Sequence, residues 1–334
     1  MAAITDPRQR TVDAIYRQYE ARQGNGFRPH LGASLIGHPC RRYLWLMFRW
    51  ARAASFSGRM LRLFQRGQLE EQVFVSDLRA AGVEVWEVDP ATGQQFRVES
   101  FGGHFSGSLD GVALGLLEAP ATAHLLEFKT HNTKSFATLV KNGVQKAKPQ
   151  HYAQMQTYMG RMGLTRAYYM AVNKDTDEIY AERIRFDRAA FDAIMDKAEA
   201  VIFAPEPLER ISNDPSWYQC KTCDMYEICH GQDVPAVNCR TCAHATPQRD
   251  GTWLCERHNK ILSTEDQQHA CQAHRFIPAL LSHIASVEDA SQEDNWVRYK
   301  RHADGAQFTN GQPPTGLLSE EIASCNSETT NRSR

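Results

Sequence analysis

Asp110, Glu127 and Lys129 have the types and spacing for chemistry on a phosphate group. Glu127 and Lys129 alternate with apolar residues in Leu125-Leu126-Glu127-Phe128-Lys129, and alternate side chains of a strand share a face. Leu126 and Phe128 are therefore expected in a core, with Glu127 and Lys129 together on the other side. Asp110 lies one expected hairpin upstream, in Gly107-Ser108-Leu109-Asp110-Gly111, where glycine lets the backbone turn sharply or approach something closely. Two carboxylates brought to one point repel unless a cation holds them, and hard oxygen ligands with room for water suit Mg²⁺. A lysine beside such a pair steadies a phosphate or an attacking hydroxide. The bland alternative is an edge strand with solvated charges. The Asp-Gly upstream favours the metal site.

Positioning these residues requires a scaffold, and the sequence supplies an alternation of helices and strands. Helices are expected over residues 11–22, 41–52 and about 58–80, the last with the apolar stripe Leu63, Val73, Phe74 and Leu78. Gly67 precedes Glu71 by one turn and leaves open space over that carboxylate. Strands are expected at 83–88, 96–99 and 104–114, followed by the Glu127 strand and a lysine-rich helix at 134–142. The helix over 149–160 starts on a proline, which the first turn tolerates, and places Gln154 and Tyr158 on one face. A hairpin over 166–174 and 178–186 and a helix capped by Asp187 complete one α/β unit.

Two sets of cysteines follow. Cys220, Cys223 and Cys229 form a C-x2-C-x5-C cluster. Zinc suits it, and an iron–sulfur cluster suits it equally. One ligand is missing for a four-thiolate site. Cys40 is the free cysteine ahead of the core, and Cys239 is the competing candidate. Cys239, Cys242, Cys255 and Cys271 form a CxxC knuckle with two later cysteines, the pattern of a ribbon-like structural zinc site. His258, His269 and His274 lie near enough in sequence to replace a cysteine. Cys325 stands in a polar tail expected to be loosely ordered from about Ser286.

The chain has 334 residues, 42% of them hydrophobic and 23% charged, a composition that fits about two folded domains and argues against a fibre or wholesale disorder. The start over residues 1–7 is polar, without an apolar signal core. No run approaches the roughly 18 apolar residues of a membrane span. A cytoplasmic protein without a membrane partner is the expectation, and nine cysteines then read as metal ligands sooner than as disulfides. Net charge is only −1, but its distribution is uneven. No acid occurs in residues 21–69, where nine arginines stand, or in 128–150, where Lys129, Lys134, Lys141, Lys146 and Lys148 stand. Two basic stretches around an acidic site suit a polyanion over a metal.

Taken together, Gly107-Ser-Leu-Asp110, Glu127-Phe-Lys129 and Gln154-Met-Gln-Thr-Tyr158 resemble the RecB-type nuclease motifs of the PD-(D/E)XK superfamily. Cys40 with Cys220, Cys223 and Cys229 resembles its iron–sulfur branch, which includes AddB helicase-nuclease subunits and the CRISPR-associated "Cas four" exonucleases. The stretch from Lys148 to Met159 is similar to stand-alone phage nucleases. The resemblance spans roughly residues 30–230.

The resemblance implies a restriction-endonuclease-like α/β core, a central mixed sheet flanked by helices, with Asp110 and Glu127 binding Mg²⁺ or Mn²⁺ and Lys129 orienting the attacking water. It implies that Gln154 and Tyr158 touch DNA and that Cys40, Cys220, Cys223 and Cys229 hold a [4Fe–4S] cluster as a clamp. Many relatives place a histidine where this chain has Glu71, so Glu71 is the expected third carboxylate, with Glu70 the alternative. The expected division is 1–57 (helical, with the first iron–sulfur cysteine), 58–204 (nuclease core), 205–235 (iron–sulfur segment), 236–280 (zinc-ribbon-like module) and 281–334 (polar, partly disordered tail). The expected activity is exonucleolytic cleavage of DNA at single-stranded ends, in phage or bacterial recombination, repair or CRISPR-related processing. A recombination or single-strand-binding protein is a candidate partner. Two rivals come from other classes: a non-catalytic iron–sulfur and zinc protein that binds nucleic acid, and a redox protein. The second lacks a nucleotide-binding glycine motif.

Overall fold

The computed structural model describes residues 9–24 and 26–331; the polar start at residues 1–7 lies outside them. In chain order, α1 (Arg10–Ala21), β1 (Leu31–Gly32), α2 (Arg41–Phe48) and α3 (Gly58–Ala80) come first. Strands β2 (Glu84–Trp86), β3 (Arg97–Ser100), β4 (Phe105–Ser108), β5 (Gly111–Leu114) and β6 (His124–His131) follow. Then come α4 (Thr133–Ala147), α5 (Pro149–Met162), β7 (Arg166–Asn173), β8 (Ile179–Arg185) and α6 (Arg188–Phe203). The last third contains α7 (Tyr218–Lys221), α8 (Tyr226–Cys229), β9 (Ala245–Pro247), β10 (Trp253–Cys255), β11 (Lys260–Ile261) and α9 (Thr264–Gln268). It ends with β12 (Ala285–Ser291), β13 (Trp296–Arg301), β14 (Gln307–Asn310) and α10 (Ser319–Asn331).

A five-stranded sheet in the order β2-β5-β6-β7-β8 is the frame of the molecule. Strands β6 and β7 run parallel and the other neighbours antiparallel, so the sheet is mixed. Helix α3 covers one face: Phe74, Val75 and Leu78 pack on Leu126 and Phe128, and the Phe74 and Phe128 rings stack at 5.1 Å. Burying a side chain of this size stabilises by about 1.5–3 kcal/mol. Helices α5 and α6 cover the other face together with Leu125 and Tyr169. Capping fixes where helices start. Asn132 accepts the Ser135 N–H at α4 and Asp187 accepts the Ala190 N–H at α6.

The expected Asp110 hairpin is not one. Strand β4 pairs with β1 and β3 in a separate three-stranded sheet, whereas β5 pairs with β2 and β6. Asp110 stands where the chain crosses from one sheet to the other. The reason is non-local: β1, over 70 residues upstream in sequence, offers β4 a parallel partner at Leu31↔Phe105.

The loosely ordered tail expected from Ser286 is also corrected. Residues 285–310 form the antiparallel sheet β12-β13-β14. Tyr299, fully buried, stacks on Phe308 at 5.1 Å, and Phe276, Leu281 and Ile322 complete this small core.

The cysteine-bearing segment beyond residue 236 shares the main core, because Ala245, Trp253 and Leu280 belong to the same apolar cluster as Leu44 and Trp45. Two buried arginines join them. Arg49 donates to the carbonyls of Arg240 and Ala245, and Arg240 donates to those of Phe48 and Pro29. The Arg240 guanidinium lies 3.7 Å from the Trp50 ring centre. Arg49 stands in the basic stretch of 21–69, but it is 2% exposed and serves packing. Arg59, Arg62 and Arg66 of the same stretch remain exposed or half-exposed along α3.

Candidate active site

Extending the β5·β6 register of Gly111↔Leu126 by one step sets Asp110 opposite Glu127. Asp110 is held there by a hydrogen bond: the Phe128 backbone N–H donates to its Oδ2 at 2.7 Å. Glu127 is completely buried. The Lys129 ammonium donates to Glu127 Oε1 and, at 3.0 Å, to the Phe128 carbonyl. Glu127 Oε2 is buried without any hydrogen-bond partner. An ionised oxygen in that position is costly unless something cationic meets it.

Glu71, on α3, lines a cleft with Lys129 and is close enough to feel the charge of Asp110. Burial pushes its carboxyl up to about 7, aided by the charge of Asp110 and opposed by Lys129. Glu127 is likewise pushed to about 7, first by burial and then by Asp110 and Glu71, with Lys129 opposing. Burial alone would lower the Lys129 amine, but Glu127 and Asp110 more than offset that and raise it. The charge of Asp110 helps raise both Glu71 and Glu127, and Glu127 carries an orphaned oxygen; carboxylates so arranged have donor chemistry that suits a cation. An added cation would favour the ionised form of both.

Glu70, Glu71 and Lys129 line one open cleft between α3 and β6, with Leu63, Phe64 and Gly67 at its wall. A Cβ on Gly67 would meet nothing within 4 Å, so the open space expected beside Glu71 is present. Gln154 and Tyr158, expected to touch DNA, are 7% and 2% exposed, and neither presents a ring or amide face to an open surface. Gln154 donates to the Tyr158 hydroxyl at 3.4 Å. That hydroxyl lies against Gly107, where a Cβ would come within 2.6 Å of it. Tyr158 thus forms the floor beneath the Asp110 segment, and the motif glycine makes room for it.

Some polar groups at the site are not singled out by the sequence. His131 continues the Glu127–Lys129 face, and its Nε2 lies 3.0 Å from the Tyr169 hydroxyl, which His151 Nδ1 also meets at 3.0 Å. Tyr169 faces Glu127 across the parallel β6·β7 pair. The signal available in sequence was the same period-2 alternation that placed Lys129, carried one step further to His131.

The cysteines gather as two groups. Cys40, Cys220, Cys223 and Cys229 line one cavity, with Arg42 and Arg210 beside them. Cys40 is the N-cap of α2 and accepts the Tyr43 N–H at 3.4 Å. Burial pushes Cys223 up to about 11, with the charges of Cys40 and Cys229 adding to it. Cys239, Cys242, Cys255 and Cys271 line a second cavity. There burial pushes Cys239 to about 12, and Cys242, Cys271 and Cys255 add to it. His274 is engaged elsewhere, its Nδ1 2.8 Å from Ser319 Oγ and its Nε2 3.1 Å from the Asn238 carbonyl. His258 Nε2 lies 3.5 Å from Cys271 Sγ. Among the described residues no three His, Cys, Asp or Glu side chains are placed to hold an ion as they stand. Among them, too, no helix is long and apolar enough to cross a membrane.

No protein-family model matches the chain. No curated protein matches it either. Among solved structures it is similar to an alkaline exonuclease from Laribacter hongkongensis, at 22% identity over 55% of this chain and 90% of that one, with a TM-score of 0.37. The same exonuclease in complex with dAMP gives 21% identity over 56% and 89%, again at 0.37. A phage-related exonuclease from Haemophilus somnus 129PT gives 19% identity over 41% of this chain and 68% of that one, at 0.31. TM-scores this low decide nothing about what this chain does.

Proposed function

We propose that the chain is a Mg²⁺- or Mn²⁺-dependent deoxyribonuclease with a PD-(D/E)XK core, acting as an exonuclease on single-stranded DNA ends in the cytoplasm of a bacterium or phage-infected cell. The observation that carries this reading is the orphaned Glu127 Oε2, on a carboxyl that the charges of Asp110 and Glu71 raise and that Lys129 bonds through its other oxygen. Asp110, Glu127 and Glu71 are the residues that would hold the divalent cation. When bound, it supplies Lewis-acid polarisation of the scissile phosphoryl group. Lys129 neutralises Glu127 in its absence and orients the attacking water in its presence. The Phe128 N–H fixes Asp110, and Tyr158 keeps the Asp110 segment from sinking toward α5.

Cys40, Cys220, Cys223 and Cys229 hold a [4Fe–4S] cluster in this reading, joining α2 to the segment that follows the core. Cys239, Cys242, Cys255 and Cys271 hold structural Zn²⁺. The boundaries at residues 57, 204, 235 and 280 belong to the same proposal.

The test is digestion of end-labelled linear DNA and of circular single-stranded DNA, each with Mn²⁺ and with chelator. Release of nucleotides from the linear substrate alone, and only with metal, supports an exonuclease. Cutting of circles makes the chain an endonuclease, and tight binding without cutting makes it a non-catalytic binder.

A further inference from the structure

Past Lys129 the reactive face of β6 continues into a second cluster that the chemistry at Asp110 and Glu127 does not use. The hydroxyl of Tyr169 is shared by His131 Nε2 and His151 Nδ1, and the two imidazoles lie nearly parallel with ring centres 6.0 Å apart. His131 Nδ1 is 3.2 Å from Ser135 Oγ, and the Lys148 ammonium donates to that same Ser135 Oγ at 2.5 Å. Tyr169 and His131 are buried, whereas Ser135, Lys148 and His151 are half-buried and reachable.

The charge in this cluster is unbalanced. Among the described residues Lys148 makes no ion pair, and the cause that lowers its amine is burial. Burial pushes His131 to about 4 and His151 to about 3, with the charges of Lys148 and Lys129 pushing further the same way. Both imidazoles are therefore neutral at pH 7, and Lys129 is already matched by Glu127. Asp175, the acid bonded to this end of α4, is engaged by the Thr133 amide and hydroxyl. One half-buried ammonium is left without a counter-charge, a costly arrangement unless an anion arrives.

The hydrogen-bond network is built to receive one. The Tyr169 hydroxyl has one proton, so it donates to one histidine and accepts from the other. If it donates to His151 Nδ1, His151 carries its proton on Nε2, which takes no part in the network. If it donates to His131 Nε2, His131 donates from Nδ1 to Ser135 Oγ, and the Ser135 hydroxyl proton turns outward. Either arrangement leaves one donor of the network unused, on His151 or on Ser135, for a tetrahedral oxyanion drawn by the Lys148 ammonium.

We propose that Lys148, Ser135 and His151 form a phosphate subsite that holds a further backbone phosphate of the strand whose scissile phosphate lies at Glu127 and Lys129. The identity of that phosphate as part of a DNA strand rests on the nuclease reading; the anion site itself does not.

The test uses the full-length protein in two arms. In the first, inorganic phosphate at constant ionic strength raises the melting temperature of the parent, and the rise is lost in Lys148→Met and kept in Lys141→Met, an exposed lysine of the same helical segment. In the second, oligonucleotide binding in Ca²⁺ is followed against salt concentration. Lys148→Met weakens binding by about tenfold or more, as loss of a charge-assisted hydrogen bond does, and lowers the salt slope by about one. Lys148→Arg keeps the charge and most of the slope. Ser135→Ala shows a smaller loss. Equal phosphate stabilisation of parent and Lys148→Met, or equal affinity and slope for DNA, overturns the subsite. A parent that binds DNA and phosphate through Lys148 yet never cuts DNA retains the subsite and sinks the nuclease reading instead.

Discussion

The backbone N–H of Phe128 donates to the Asp110 carboxylate at 2.7 Å, so the strand that carries Glu127 also fixes its partner acid. Phe128 is simultaneously locked into the α3 face of the sheet by its stack on Phe74. The position of Asp110 therefore depends on the apolar core, while its charge acts on the Glu71 and Glu127 carboxyls. Asp110→Asn keeps an oxygen acceptor for Phe128 and removes the charge. Cleavage should fall by at least about 100-fold, the scale on which one preorganised electrostatic partner acts, with the melting temperature unchanged or raised because Glu127 and Glu71 lose a like-charged neighbour. An Asp110→Asn protein that digests DNA at the parent rate places the metal elsewhere.

Glu71 carries a signed prediction. Its folded carboxyl titrates at about 7 against an ordinary 4.5, so between those values the folded state binds more protons than the unfolded one. Its contribution to stability is favourable below 4.5 and is lost as pH rises through 7. His131, His151 and His274, pushed downward by burial, act in the opposite direction, so the readout is the difference from Glu71→Gln. In chelator, that variant should match the parent near pH 5 and melt higher at pH 8. Mn²⁺ at pH 8 should stabilise the parent and not the variant. A variant that melts lower than the parent at pH 8 without metal contradicts the shift.

Gly107 is constrained by its neighbours and not by its own dihedral angles. A Cβ there would stand 2.6 Å from the Tyr158 hydroxyl and 2.8 Å from Ala33 Cβ. Gly107→Ala should destabilise by about 1–3 kcal/mol in urea titration, as overpacking does. It should also impair cleavage by lifting the Asp110 segment. An alanine variant with parental stability means that Tyr158 moves aside freely.

The iron–sulfur proposal joins residues 180 positions apart, Cys40 at the N-cap of α2 and Cys220. Anaerobically purified protein should be brown, and Cys40→Ser should lose colour and melting temperature about as much as Cys223→Ser. Full iron in Cys40→Ser, with loss in Cys239→Ser, reassigns the fourth ligand.

Zinc removal should be felt well beyond the second cysteine group. Arg240, next to Cys239, is bonded to the Phe48 and Pro29 carbonyls and lies over Trp50. Elemental analysis should give about one zinc per chain. Cys239→Ser should lose it, keep its iron and quench or shift tryptophan fluorescence. Unchanged zinc content in that variant excludes the site.

That Asp110, Glu127 and Lys129 come together was legible because it depends on short-range alternation: Glu127 and Lys129 share a face wherever a strand forms, and Asp-Gly marks a break. What lay beyond local pattern was lost. Strands flanking Asp110 looked like a hairpin because their sequence says nothing of β1, which claims β4 for another sheet. The tail looked disordered because polar residues outnumber the buried Tyr299 and half-buried Phe308 that order it. Arg49 counts in sequence as one more surface charge, although tryptophans and backbone carbonyls bury it, as they do Arg240. His151 meets Tyr169 only because α5 lies over the parallel β6·β7 pair, a relationship that spacing in sequence does not encode.

The most direct test of the account is the rate of nucleotide release from end-labelled single-stranded DNA in Mn²⁺ by parent and by Glu127→Gln. The amide in that variant fills the same volume without the charge that the Glu127 Oε2 holds out unpartnered. Metal-dependent release by the parent is expected, with a fall of at least about 100-fold in the variant and DNA affinity retained. Release by the variant at the parental rate, or none by a folded, metal-supplied parent, contradicts that expectation.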